Sequence, residues 1–220
     1  SLMCAILTAN GDTFCAGMDL KAGADGEHRS TEEFMELMGT VPNIHWQALL
    51  RDNRPNKPLI LAVEGYALAG GTEILQGTDI RIGAENAIFG VTEVARGLYP
   101  MSGSTIRLRR QIPYCLAAEI LLCGDHITAQ QALDFGLINK IVPAGKTLEV
   151  AKEYAAKICA NGPLAVRAVT RSLRGHQECM SEEDAMLASD ELANPVFASS
   201  DAREGMKAFK EKRKAKFTGE

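Results

Sequence analysis

Five apolar residues, Leu59-Ile60-Leu61-Ala62-Val63, run straight into a turn of small residues, Gly65, Ala67, Ala69, Gly70 and Gly71. A short apolar run bounded by turn residues reads as a buried strand. The small residues permit close approach of backbone to backbone, and a short helical stretch with Glu73 in its first turn follows. A second carboxylate, Glu93, comes twenty positions later, just after another strand-like piece, Ala87-Ile88-Phe89. Repeated strand–turn–helix units point to an α/β fold. Bare N–H groups at a helix start, with carboxylates nearby, suit a reaction that passes through an enolate anion. The donors hold the charged oxygen and the carboxylates move protons.

The same reading extends along the chain. Met3 to Thr8 is a continuous apolar run and is expected to be a buried strand. A fold that starts directly on such a strand suggests a missing N-terminal segment. Asn10-Gly11-Asp12 marks a turn, and Lys21 to Arg29 reads as a surface loop. Ser30 and Glu33 have capping-box spacing ahead of Phe34, Leu37 and Met38, so a helix is expected there, interrupted at Pro42. A second helical piece carries Ile44, Trp46, Leu49 and Leu50. Residues 97–104 read as a loop, 106–110 as a helix turn and 115–123 as helix. Thr128 caps a further helix that stops at Gly136. Leu137 to Val142 reads as a strand. Beyond Pro143-Ala144-Gly145 only helical periodicity remains, predicting helices over 147–160, 163–173, 181–192 and 201–217. The division expected is a strand–helix core over 1–145 and a helical part over 146–220.

Composition excludes several classes. A net charge of −4 on 220 residues gives no bulk field for nucleic acid. No run of about 18 apolar residues predicts a membrane span. Six cysteines occur, Cys4, Cys15, Cys115, Cys123, Cys159 and Cys179, with no C-x-x-C pair. They read as free thiols of a reducing compartment, the cytoplasm. The four histidines, His28, His45, His126 and His176, are scattered, so no metal site is expected. Neither dinucleotide nor P-loop glycine spacing is present to explain Gly70 and Gly71.

Four stretches carry a resemblance: Ala16-Gly17-Met18-Asp19-Leu20, Gly65-Tyr66-Ala67-Leu68-Ala69-Gly70-Gly71-Thr72-Glu73, Phe89-Gly90-Val91-Thr92-Glu93 and the ending from Arg203 to Arg213. Together they resemble the crotonase (enoyl-CoA hydratase/isomerase) family over nearly the whole chain. The resemblance implies an α/β, ClpP/crotonase-like spiral of strand–strand–helix turns, with a helical C-terminal trimerisation region. It implies an acyl-CoA thioester substrate and no separate cofactor. The backbone N–H groups of Met18 and Gly70 would form an oxyanion hole. Glu73 and Glu93 would hold one water, Glu73 as base and Glu93 delivering a proton to C2, to turn a trans-2-enoyl-CoA into a 3-hydroxyacyl-CoA. Ala16, Asp19, Leu20 and Lys21 would lie along the CoA. Phe209 and Lys212 would reach the CoA of a neighbouring subunit in a homotrimer or dimer of trimers. The helical region of Met35, Met38 and Trp46 walls the acyl pocket in the family, although a plain core stripe also accounts for these residues.

One departure stands out. Many hydratases have glycine after the proline of the loop that follows the second glutamate, and this chain has Pro100-Met101. Met101 keeps its N–H but adds bulk toward the acyl chain. An isomerase, or a dehydratase of a more polar acyl-CoA such as carnitinyl-CoA, is therefore the alternative reaction. A CoA-thioester sensor or an RNA-binding member of the fold is the alternative without chemistry.

Overall fold

The computed structural model describes residues 2–20, 44–175 and 182–220. The expected loop at 21–29 with Lys21, the Ser30/Glu33 capping box, and Met35 and Met38 lie outside them. Seven strands occur among the described residues: β1 (Ala5–Leu7), β2 (Leu59–Val63), β3 (Tyr66–Leu68), β4 (Ile80–Ala84), β5 (Ile88–Gly90), β6 (Ile127–Thr128) and β7 (Lys140–Val142). They form two sheets, one in the order β1-β2-β4-β7 and one in the order β3-β5-β6. The pairs β2–β4, β4–β7 and β3–β5 are parallel, and β5–β6 is antiparallel. From β2 to β5 consecutive strands thus alternate between the sheets. Over that span each turn of chain lays one strand in the first sheet and the next in the second, as in a spiral of strand–strand–helix units.

The helices are α1 (Ile44–Ala48), α2 (Gly70–Gln76), α3 (Ser104–Gln111), α4 (Tyr114–Cys123), α5 (Ala129–Asp134), α6 (Thr147–Cys159), α7 (Pro163–Arg174), α8 (Glu182–Ala198) and α9 (Ser200–Lys210), with a 3-10 turn at Glu93–Arg96. Residues Leu7–Arg54 and Ile60–Ala151 form one compact unit; Ser1–Ile6, Pro55–Leu59 and Lys152–Glu220 form a second. The first unit contains the larger core. Leu61, Val63, Leu75, Phe89, Val91 and Leu108 are all buried in one cluster, with Ile112, Ala117 and Ile120 against them. This explains why β2 is apolar at every position: all five residues are buried.

Several boundaries differ from the expectation. β1 is three residues long and partly exposed rather than a fully buried six-residue strand. It lies at the end of its sheet, with a partner on one side only. β3 and β4 were not legible as strands. The apolar run of β4 is broken by Arg81, which is buried because its guanidinium donates to the Leu137, Gln76 and Thr78 carbonyls. α8 continues through Pro195 to Ala198, six residues past the expected end. α9 ends at Lys210 rather than at 217, and Lys212 turns the chain with φ of 51°. Arg213 then pairs in two-fold fashion with Glu204 at 2.6 and 2.9 Å, and Asp201 accepts from the Thr218 and Gly219 N–H groups. The lysine-rich ending would have placed like charges one turn apart on a longer helix, and the fold-back avoids this.

Thr72 ties α2 to both strands of the second sheet. Its hydroxyl donates to the Ala67 carbonyl at 2.5 Å and accepts the Gly90 N–H at 3.0 Å. Because Thr72 is 1% exposed, no water can replace the lost partner. Thr72→Val is expected to cost about 1–3 kcal/mol, the penalty for stranding a buried donor. A urea denaturation curve checks this, and an unchanged midpoint would contradict it.

Candidate active site

The two carboxylates arrive together because their strands are partners. β3 and β5 run parallel with Leu68 opposite Gly90, so both strands end at the same level. The Ala69 N–H extends the pairing by donating to the Gly90 carbonyl at 2.8 Å. After β3 the chain turns at Ala69 into α2, and Glu73 follows in the first turn. After β5 it passes through Val91 and Thr92 into the 3-10 turn that starts at Glu93. Crevices beyond the carboxyl ends of parallel strands are where α/β folds place ligands.

Glu73 is 3% exposed, yet its Oε1 is fully engaged. It accepts the Ser102 N–H at 2.9 Å and the Ser104 N–H at 3.2 Å. Ser104 is the first residue of α3, so this carboxylate also lies at the positive end of a helix. The loop that folds over it turns at Gly103 with φ of 111°, a conformation that glycine adopts without strain. Neither serine was singled out from sequence. A small-residue cluster just ahead of a helix was the available signal.

Glu93 differs in kind. Its Oε2 is buried and has no hydrogen-bond partner among the described residues. Burial pushes its pKa above the ordinary carboxylate value, and the Glu73 charge adds to the rise. One carboxylate is thus held by main-chain donors, and its neighbour is biased toward the protonated acid. A carboxyl group held toward its protonated form is suited to donating a proton.

The third component comes from residues 14–18. Cys15 bridges to Ala67 in parallel fashion, and the Leu68 N–H donates to the Cys15 carbonyl at 2.8 Å. The contact is tight enough to explain two glycines. A Cβ on Gly71 would come within 2.7 Å of the Cys15 carbonyl oxygen. One on Gly17 would come within 3.0 Å of the Ala69 Cβ. Gly17 itself has φ of 93°, and Ala69 is a non-glycine residue at φ of 49°. These turns bring Gly17 against Ala69, the residues that precede Met18 and Gly70 in the chain. As the first residue of α2, Gly70 has an N–H with no acceptor inside the helix.

The remaining expected residues divide by location. Ala16 and Asp19 are exposed beside this cluster, Leu20 is 42% exposed, and Met18 presents its side chain to solvent. Met101, 52% exposed, precedes the Ser102 that holds Glu73. Lys21 lies outside the described residues. Phe209 and Lys212 belong to the second compact unit, where Phe209 is 89% exposed. Trp46 stacks under the Arg51 guanidinium at 4.4 Å. Arg107 was not anticipated. Its guanidinium donates to the Leu50 and Arg51 carbonyls at 2.6 and 3.0 Å, and burial lowers its pKa to about 10, so it stays a cation at neutral pH. Among the described residues no group of three or more metal-ligating side chains occurs.

The raised pKa of Glu93 has a consequence for stability. An acid whose folded pKa lies above its unfolded value of 4.5 favours folding while protonated in both states, below pH 4.5. That contribution is lost as pH rises through the folded pKa. Glu93→Gln, which mimics the protonated acid, should therefore be more stable than the parent chain at neutral pH and equal to it below pH 4.5. Thermal melts at both pH values check this. A variant less stable at neutral pH would contradict the desolvation of Glu93.

Comparison with known proteins agrees with the geometry. The family described as enoyl-CoA hydratase/isomerase matches residues 1–220. The chain is similar to enoyl-CoA hydratase EchA19 of Mycobacterium tuberculosis, with 51% identity over 98% of this chain and 79% of that protein. It is similar to a carnitinyl-CoA dehydratase of Proteus mirabilis at 35% identity, covering 100% of this chain and 82% of the other. The crystal structure of enoyl-CoA hydratase EchA1 from Mycobacterium marinum superimposes with a TM-score of 0.84 at 40% identity, over 99% of this chain and 81% of that one. With its paired strand ends, its two unequal carboxyl groups and a match over its full length, the chain belongs to the enoyl-CoA hydratase/isomerase family and has the crotonase fold.

Proposed function

We propose that the protein adds water across the C2–C3 double bond of a trans-2-enoyl-CoA to give a 3-hydroxyacyl-CoA. The observation that carries this reading is the convergence of Glu73 and Glu93 at the paired ends of β3 and β5, with Glu93 shifted toward its acid form. The thioester oxygen accepts the Met18 and Gly70 N–H groups. Glu73 takes a proton from the water, the water oxygen bonds to C3, and the π electrons move onto the thioester oxygen. The enolate collapses as Glu93 delivers its proton to C2. The backbone donors bind the enolate more strongly than the neutral carbonyl, so they act on the transition state. The residues supply both proton transfers themselves, and the reading needs no metal or redox cofactor.

The same atoms run in reverse as a dehydratase, and the 35% identical carnitinyl-CoA dehydratase is a relative of that kind. Met101, exposed beside the loop that holds Glu73, would then select the acyl chain. On this reading Ala16, Asp19, Leu20 and Lys21 follow the CoA. Residues 1–145 carry the chemistry and 146–220 the oligomer contacts of a trimer or dimer of trimers. Phe209, almost fully exposed, and Lys212 then meet the CoA of a neighbouring subunit. A cytoplasmic setting fits the five described cysteines, all free thiols.

Glu73→Gln and Glu93→Gln should each lower the hydration rate by about 10²–10⁴-fold, the usual weight of one positioned proton-transfer group, with CoA binding nearly intact. Steady-state assays on 2-enoyl-CoA and 3-enoyl-CoA, with calorimetry on a saturated acyl-CoA, measure both. Parent-like turnover in either variant removes that carboxylate from the mechanism. Conversion of the 3-enoyl substrate alone overturns hydration.

A further inference from the structure

Behind Glu73, one turn further along α2, lies Gln76, completely buried. Its Nε2 donates to the Ser104 Oγ at 2.8 Å and to the Thr72 carbonyl at 3.2 Å. A carbonyl only accepts, so the Thr72 contact fixes which end of the amide is the nitrogen. Ser104, also fully buried, is one of the two residues whose N–H groups hold the Glu73 Oε1. The main-chain carbonyl of Gln76 meanwhile accepts from the Gln111 Nε2 at 2.9 Å. Ser104 and Gln111 are the first and last residues of α3. A single residue of α2 therefore grips both ends of the helix whose first N–H is presented to the carboxylate on its own preceding turn.

We infer that Gln76 is a positioning residue for Glu73, acting through Ser104. Its amide sets where the start of α3 sits, and the start of α3 sets where the Glu73 carboxylate points. The inference rests on the reading of Glu73 as the base. The arrangement is not one that core packing would produce by itself. The Gln76 Oε1 is buried with no hydrogen-bond partner among the described residues. Burying an amide oxygen unpaired works against folding, and an apolar side chain of similar length would avoid it. Gln76 thus gives up stability in return for a directed bond to Ser104. A base displaced by a fraction of an ångström still binds substrate but no longer meets the water at bonding distance. The defect belongs in turnover and not in binding.

The test is a double-mutant cycle in the full chain with Gln76→Met, which keeps length and removes the amide, and Ser104→Ala, which keeps the N–H and removes the hydroxyl. Each single variant should lower kcat by about 10–100-fold, the scale of a small misplacement at a reacting centre. KM should stay within about two-fold, and the melting temperature of Gln76→Met should fall by no more than about 3 °C. Because both variants break one bond, the double variant should be no slower than either single. Parent-like kcat in Gln76→Met, or losses that multiply in the double variant, would overturn the inference. Glu73→Gln measured alongside separates the two levels. If it turns over normally, the base assignment fails. If it is inactive while Gln76→Met is unimpaired, the positioning role alone fails.

Discussion

The site depends on the register of two short strands. β3 and β5 have only three residues each, yet their parallel pairing with Leu68 opposite Gly90 decides what stands at their ends. Side chains alternate across a strand, so a slip of one residue would send each strand's exit in the wrong direction. The Thr72 hydroxyl, bonded to one strand and accepting from the other, secures this register from the helix side. The Cys15 bridge secures it from the opposite edge. Three pieces of chain far apart in sequence are thereby fixed around one small space.

Within that space the chemistry is set by unequal treatment of two like groups. Two main-chain N–H groups and the start of a helix face Glu73. Glu93 keeps a buried oxygen with no hydrogen-bond partner among the described residues, and burial holds it toward the acid form. On the proposed reading the oxyanion donors are main chain at both positions, so the residue type there would be constrained by space and dihedral angle rather than by side-chain chemistry. This is why Gly17 and Gly71 matter while Met18 can be a large exposed residue.

The sequence made the strand at Leu59–Val63, the small-residue turn and the glutamate pair legible, because each is local. An apolar run, glycines and a carboxylate in a first turn all announce themselves within ten residues. What it hid were features decided at long range. β4 was obscured by Arg81, whose burial is paid for by carbonyls as distant as Leu137. The end of α9 is decided by Arg213 reaching back to Glu204. Ser102 and Ser104 look like ordinary loop residues until the fold brings their N–H groups to a carboxylate 29 and 31 positions away. Nothing local to Gln76 marks its amide, and the fold shows it to be completely buried.

On the proposed reading one water is held jointly by Glu73 and Glu93 in front of a thioester gripped by the Met18 and Gly70 N–H groups. A crystal structure with a saturated acyl-CoA bound tests it directly. A single water is expected within hydrogen-bond distance of both carboxyl groups, facing C3, with the thioester oxygen within about 3 Å of both backbone nitrogens. A thioester oxygen held by other donors, or carboxyl groups that share no water, would contradict it.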